Sequence, residues 1–101
     1  MIDKKEVEKL IEERKKIHPD DPSIIDKWCE LTKIFVKNEE DTLIYLNNCS
    51  KEEITWISEI FEDISEQLQS WGFIKCIEQL ANKYSDLDLE QDIFYAKKQM
   101  R

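Results

Sequence analysis

The sequence predicts an all-α fold: a single compact helical domain over residues 1–101, with five or six helices packed as antiparallel neighbours. Three observations carry this. Hydrophobic residues make up 41% of the chain and charged residues 38%, which is too apolar for a disordered chain. One Gly and two Pro leave too few turn residues for a many-stranded β architecture. Apolar residues recur at steps of three and four, the period of a helix with one face turned to a core.

The first helix opens at Asp3, with Glu6 three residues on in a capping-box arrangement, and Val7, Leu10, Ile11, Arg14 and Ile17 carry its stripe up to Pro19. In Asp20-Asp21-Pro22 the pre-proline Asp caps a second helix and Pro22 enters its first turn. Ile24, Ile25, Trp28, Leu31, Thr32, Phe35 and Val36 then extend that helix to about Lys37. A short third helix spans Glu40 to Asn47, with Leu43, Ile44 and Leu46 inward and Asn47-Asn48 marking its end. Ser50 and Glu53 form a second capping box. After it, Ile54, Ile57, Ile60, Phe61, Ile64 and Leu68 make the most regular stripe in the chain, read as one fourth helix. Gly72 permits a left-handed turn, after which Phe73, Ile74, Ile77, Leu80, Ala81 and Tyr84 form a fifth helix. Asp88, with Gln91 in the reciprocal position, caps a last helix through Ile93, Phe94, Ala96, Lys97 and Met100.

Several function classes are disfavoured. The first six residues contain no apolar signal region, and no stretch approaches the roughly 20 apolar residues that span a bilayer, so the expectation is a cytoplasmic chain outside the membrane. Cys29, Cys49 and Cys76 are odd in number and 20 and 27 residues apart, which fits neither a disulfide framework nor a metal pair. They read as reduced thiols, with Cys29 and Cys76 on or beside apolar stripes and packed in the core. His18 is the only histidine and reads as a helix C-terminal residue. A single Gly excludes glycine-rich phosphate loops, and Asp86-Leu87-Asp88-Leu89-Glu90 lacks the glycine of a calcium loop. No enzyme, metal or cofactor is expected. Direct nucleic-acid binding is disfavoured by the absence of a basic face.

Charge is the informative feature. Residues 1–38 hold nine acids and nine bases, and residues 67–101 hold five of each. The entire net charge of −8 therefore arises between Glu39 and Glu66, where nine acids face the single base Lys51. On a continuous helix, Glu52, Glu59, Glu62, Asp63 and Glu66 cluster opposite Ile54, Ile57, Phe61 and Leu68 as a negative ridge. Glu59 with Asp63 and Glu62 with Glu66 are like-charge pairs at four-residue spacing, which cost a helix a few tenths of a kcal/mol each. Trp56 falls on the flank of that ridge, either as a partly exposed anchor for a partner or packed under a neighbouring helix. The ridge itself reads either as a docking surface for something basic or as a solvated face that aids solubility.

The stretch from Ile54-Thr-Trp-Ile-Ser-Glu-Ile-Phe-Glu-Asp-Ile-Ser-Glu through Phe73-Ile-Lys-Cys-Ile-Glu to Leu87-Asp-Leu-Glu-Gln-Asp-Ile resembles small bacterial immunity proteins of contact-dependent inhibition and polymorphic toxin systems. The resemblance covers under half of the chain and is a pattern of helical residues without a catalytic signature. It implies an antidote that binds the toxic C-terminal domain of a delivered effector, commonly a nuclease, whose basic surface an acidic ridge would complement. Glu52, Glu59, Glu62, Asp63 and Glu66 would then pair with toxin Lys or Arg, with Trp56 as apolar anchor and Glu39, Glu40 and Asp41 extending the patch. The other expectation is a non-catalytic regulatory or scaffolding module whose partner enters an apolar groove.

Overall fold

In the computed structural model, which describes Met1–Arg101, the chain is all helix: α1 (Lys4–Lys15), α2 (Ile24–Phe35), α3 (Glu39–Asn48), α4 (Lys51–Ile57), α5 (Phe61–Leu68), α6 (Trp71–Lys83) and α7 (Glu90–Lys98). A 3₁₀ turn at Ser58–Ile60 joins α4 to α5, and a second at Ser85–Leu87 precedes α7. Counting α4, its turn and α5 as one broken rod gives six helical units, and no helix is long and apolar enough to cross a membrane.

Side chains close most helix starts, because the first backbone N–H groups of a helix have no partner within it. Asp3 Oδ1 accepts from the N–H groups of Lys5 and Glu6 at 2.9 and 3.4 Å, and Asn38 Oδ1 accepts from Asp41 at 2.9 Å. Ser50 and Glu53 form the full reciprocal box, each bond 3.2 Å. Two predicted caps differ. Asp21 accepts from the Ser23 N–H and closes the turn before α2, which starts at Ile24 without a side-chain cap. Asp88 lies in the left-handed region (φ 55°) at the end of its 3₁₀ turn, so its carboxyl does not cap α7. Helix α1 stops at Lys15, and His18 sits in the turn beyond it, its Nδ1 accepting from the Asp20 N–H.

The predicted fourth helix is interrupted. Ile54, Ile57 and Ile60 step by three and all are fully buried. A continuous α-helix would rotate each such step by about 60°, whereas 3₁₀ winding keeps residues three apart in line. The turn at Ser58–Ile60 thus keeps Ile60 in line with Ile57 on the core before α5 begins. The left-handed residue between α5 and α6 is Gln69 (φ 50°), and Gly72 instead lies inside the first turn of α6, behind the Ser70 cap. Gln69 gains from its position: its amide donates to the Gln99 carbonyl at 2.7 Å and accepts from the Arg101 N–H at 2.9 Å, tying the C-terminus to α5.

One core of twenty residues draws on all seven helices, with Phe61 meeting Phe73 edge-on at 5.9 Å. Sequence neighbours α6 and α7 run antiparallel, with Lys97 paired to Glu78. The broadest contact, α5 on α7, is parallel instead, since Ser65 Oγ meets the Ala96 carbonyl and Gln69 meets Gln99. Three residues predicted inward face solvent: Ile25 (57% exposed), Ile44 and Phe94. Thr42 takes the inward place on α3, its hydroxyl donating to the Phe35 carbonyl at 2.5 Å.

Candidate docking face on α2 and α5

The predicted ridge does not survive as one surface, because a 3₁₀ turn separates α4 from α5 and α1 supplies cations to the α4 end. Arg14 is only 6% exposed and donates to both carboxylate oxygens of Glu59, Nε to Oε1 at 2.8 Å and Nη2 to Oε2 at 2.7 Å. The Trp28 indole N–H adds a third bond to Glu59 at 3.1 Å, and Arg14 Nη1 reaches the Ile17 carbonyl at 3.2 Å. Glu59 is therefore a structural clamp between α1, α2 and the rod, its charge already paired with Arg14.

Trp56 is likewise absorbed. The Arg14 guanidinium and Lys15 ammonium lie 5.2 and 5.8 Å from its ring centroid, so the half-buried ring, which shares a cleft with Glu8, Glu12, Glu52 and Glu53, is also met by α1 cations. Lys15 also pairs with Glu52. Glu39 accepts from the Ser70 hydroxyl, which places a carboxylate at the start of α6, a helix without an acid in its own first turn. Asp41 pairs with the Met1 amine at 3.2 Å. Glu53 is buried, accepting from the Tyr45 hydroxyl at 2.7 Å. Burial and that carboxylate hold the Tyr45 phenol well above its usual range. Glu40 is exposed and makes no ion pair, but it lies on α3, apart from α5.

What remains of the predicted site is Glu62, Asp63 and Glu66. These three acids share α5, which carries no base, and none makes an ion pair or a side-chain hydrogen bond. Partial burial, then the nearby Glu66 charge, holds the Asp63 carboxyl above its ordinary value. On adjacent α7 Asp92 is raised too, by burial first, then by Glu59 and Asp88. A carboxyl whose folded pKa lies above its unfolded one contributes stability below the unfolded value and loses it as pH rises through the folded one. Asp63 and Asp92 therefore cost stability at neutral pH. Asp63→Asn and Asp92→Asn are each expected to raise stability at pH 7 by about a few tenths of a kcal/mol after solvent screening, read as a higher Tm, with the gain vanishing near pH 4 in parallel melts.

Beside these acids a groove of about 540 Å³ runs between α2 and α5, walled by Ile25, Trp28, Cys29 and Thr32 on one side and by Glu59, Glu62 and Asp63 on the other. Sequence reasoning placed the α2 residues in the core. The signal against it was the pair Ile24-Ile25: neighbours on a helix point about 100° apart, so a narrow core face takes one of them. Ile24 is buried and Ile25 is not.

Cys29 is exposed, contrary to expectation, while Cys49 and Cys76 are buried. Burial pushes the Cys49 thiol up to about 12, with Glu53 adding to it, and burial raises Cys76 in the same sense. A thiol reagent at pH 7.5 should titrate one fast cysteine in the native protein and all three after unfolding; peptide mapping of the fast adduct should return Cys29.

No group of three His, Cys, Asp or Glu side chains is placed to hold a metal ion. Comparison with protein-family models, with curated proteins and with solved structures finds no match to the chain.

Proposed function

We propose that the chain is a binding protein that neutralises a basic partner: an immunity protein whose α5 face docks on the toxic domain of a delivered effector, a nuclease with a positive surface. The observation that carries this reading is the contrast within one rod. Acids on the α4 side, Glu52, Glu53 and Glu59, find cationic or hydroxyl partners across the fold, whereas Glu62, Asp63 and Glu66 have none. A helix under stability alone would not keep two unrelieved like charges at Glu62 and Glu66, four residues apart. Presented to a cationic surface, the same acids speed encounter and fix its register.

The regulatory or scaffolding reading draws on Phe94 and Tyr95, two exposed aromatics in edge contact on α7. Ionic strength separates the two. The test is co-expression and capture of the product of the adjacent gene, followed by association kinetics at rising salt. The antidote reading expects a basic captured protein whose association slows steeply as the Debye length falls from about 30 Å at 0.01 M to about 8 Å at 0.15 M. A captured protein whose association ignores salt supports the scaffold and contradicts the antidote.

A further inference from the structure

The outward face of α7 carries apolar surface that the acids on α5 do not explain. Ile25, Ile44 and Trp71 face solvent singly on α2, α3 and α6, whereas Phe94 and Tyr95 are neighbours, 54% and 42% exposed, with ring centroids 5.6 Å apart in edge contact. Beside Phe94 a groove of about 550 Å³ opens between α6 and α7, with Ala81, Leu89 and Ile93 as its apolar lining. Two exposed rings beside such a groove have the composition of a contact surface rather than of a solvated helix.

Charge decides what covers them. The chain carries a net −8, so a second copy is repelled over most of the surface. On α7 the acids Glu90 and Asp92 are balanced by Lys97 and Lys98, which makes this face a locally neutral window. The order of those charges is also self-complementary. Glu90 lies one turn before Phe94 and Lys98 one turn after it, and on the helical wheel Glu90 and Lys97 fall on one flank of Phe94, Gln91 and Lys98 on the other. A two-fold axis across the helix at Phe94 reverses the chain direction and keeps the flank. Glu90 then meets Lys97 of the second copy, Gln91 meets Lys98 of the second copy, and each pair occurs twice. A parallel arrangement would set Glu90 against Glu90 and lysine against lysine. Within one chain Glu90 has no ion pair, and Lys98 has no carboxylate partner and lies 4.7 Å from the Phe94 ring centroid. Lys97 has Glu78 at 2.7 Å and takes Glu90 as a second acceptor.

We propose that α7 is a self-association face: two copies pack it antiparallel about a two-fold axis at Phe94, ring against ring, with each Phe94 beside the α6–α7 groove of the other copy. A nine-residue helix offers less than the ~800 Å² per side of a standard interface, so the dimer is reversible, with a Kd on the order of 10 µM. This contact does not depend on the antidote reading, whose acids lie on α5, and it covers the aromatics on which the scaffold reading draws.

The test is sedimentation equilibrium of the full-length protein from about 1 µM to about 1 mM, a range that brackets the expected Kd. The weight-average mass should rise from 12.2 kDa towards twice that value. Phe94→Glu should weaken dimerisation at least tenfold with helical content and Tm unchanged, since the ring is exposed in the single chain. Glu90→Lys and Lys97→Glu should each weaken it about tenfold, and an equimolar mixture of the two should recover the parent affinity, because every facing pair is again opposite in sign. Crosslinking on a Cys29→Ser background reads the register: Gln91→Cys and Lys98→Cys proteins should form a disulfide when mixed and not when alone. The variant Glu62→Gln, Asp63→Asn, Glu66→Gln should dimerise at least as well as the parent, which separates this contact from the α5 face.

A mass that stays at 12.2 kDa throughout, or a dimer indifferent to Phe94→Glu and to both charge reversals, would overturn the proposal. So would crosslinking of either cysteine variant with itself in preference to the mixture.

Discussion

Arg14→Ala is expected to destabilise the fold by about 3–5 kcal/mol, read as a fall in the urea midpoint at unchanged slope. The buried guanidinium touches four groups on three residues: both oxygens of Glu59, the Ile17 carbonyl and the face of Trp56. Truncation leaves the partly buried Glu59 carboxylate with the Trp28 indole as its remaining donor, and an uncompensated buried charge is what makes such a substitution expensive. For a domain whose total stability is about 5–15 kcal/mol, a loss of that size brings unfolding close. Glu59→Ala should cost at least as much, since it strands the more deeply buried of the two charges, Arg14, with the Ile17 carbonyl as its remaining hydrogen-bond partner (side-chain exposure 7% against 26%). Replacing both residues by methionine should restore much of the loss, because a well-packed apolar pair escapes the desolvation penalty altogether.

The second large effect is on binding. Reversing Glu62, Asp63 and Glu66 together to lysine should leave the helical content intact, since none of the three is bonded within the fold. Association with the proposed basic partner should slow by about a hundredfold, because the change removes steering and sets like charges face to face. Glu52→Lys serves as the contrast. Glu52 is highly exposed and paired with Lys15 outside the groove, so its reversal should change association far less. Acids at 52 and 62 look alike in sequence; the fold assigns them different work.

How much of this was legible in the residues follows from the range of the interactions. The Ser50–Glu53 box, the Asp3 cap and the apolar stripes of α1, α5 and α6 depend on neighbours within a few positions, and the sequence displays them directly. The 3₁₀ turn at Ser58–Ile60 was not legible, because the three-residue steps of Ile54, Ile57 and Ile60 satisfy an α-helical stripe and the first of them does lie within α4. Neutralisation of Glu59 was not legible, since Arg14 lies 45 positions away and reaches it only once α1 packs across the rod. The same distance hides the α1 cations over Trp56 and the hydroxyl of Ser70 beneath Glu39, 31 positions apart. The groove was missed for another reason. A helical wheel shows which residues are apolar but not how wide the core is, so Ile25 and Trp28 looked like interior.

On the proposed function, the α5 acids are kept for a partner at a small expense to the fold. A variant with Glu62→Gln, Asp63→Asn and Glu66→Gln tests this in a single paired measurement, Tm at pH 7 alongside the association rate with the proposed basic partner. Tm is expected to hold or rise while association slows at least tenfold. A lower Tm with an unchanged association rate would mean that these carboxylates serve the fold and that the docking surface lies elsewhere.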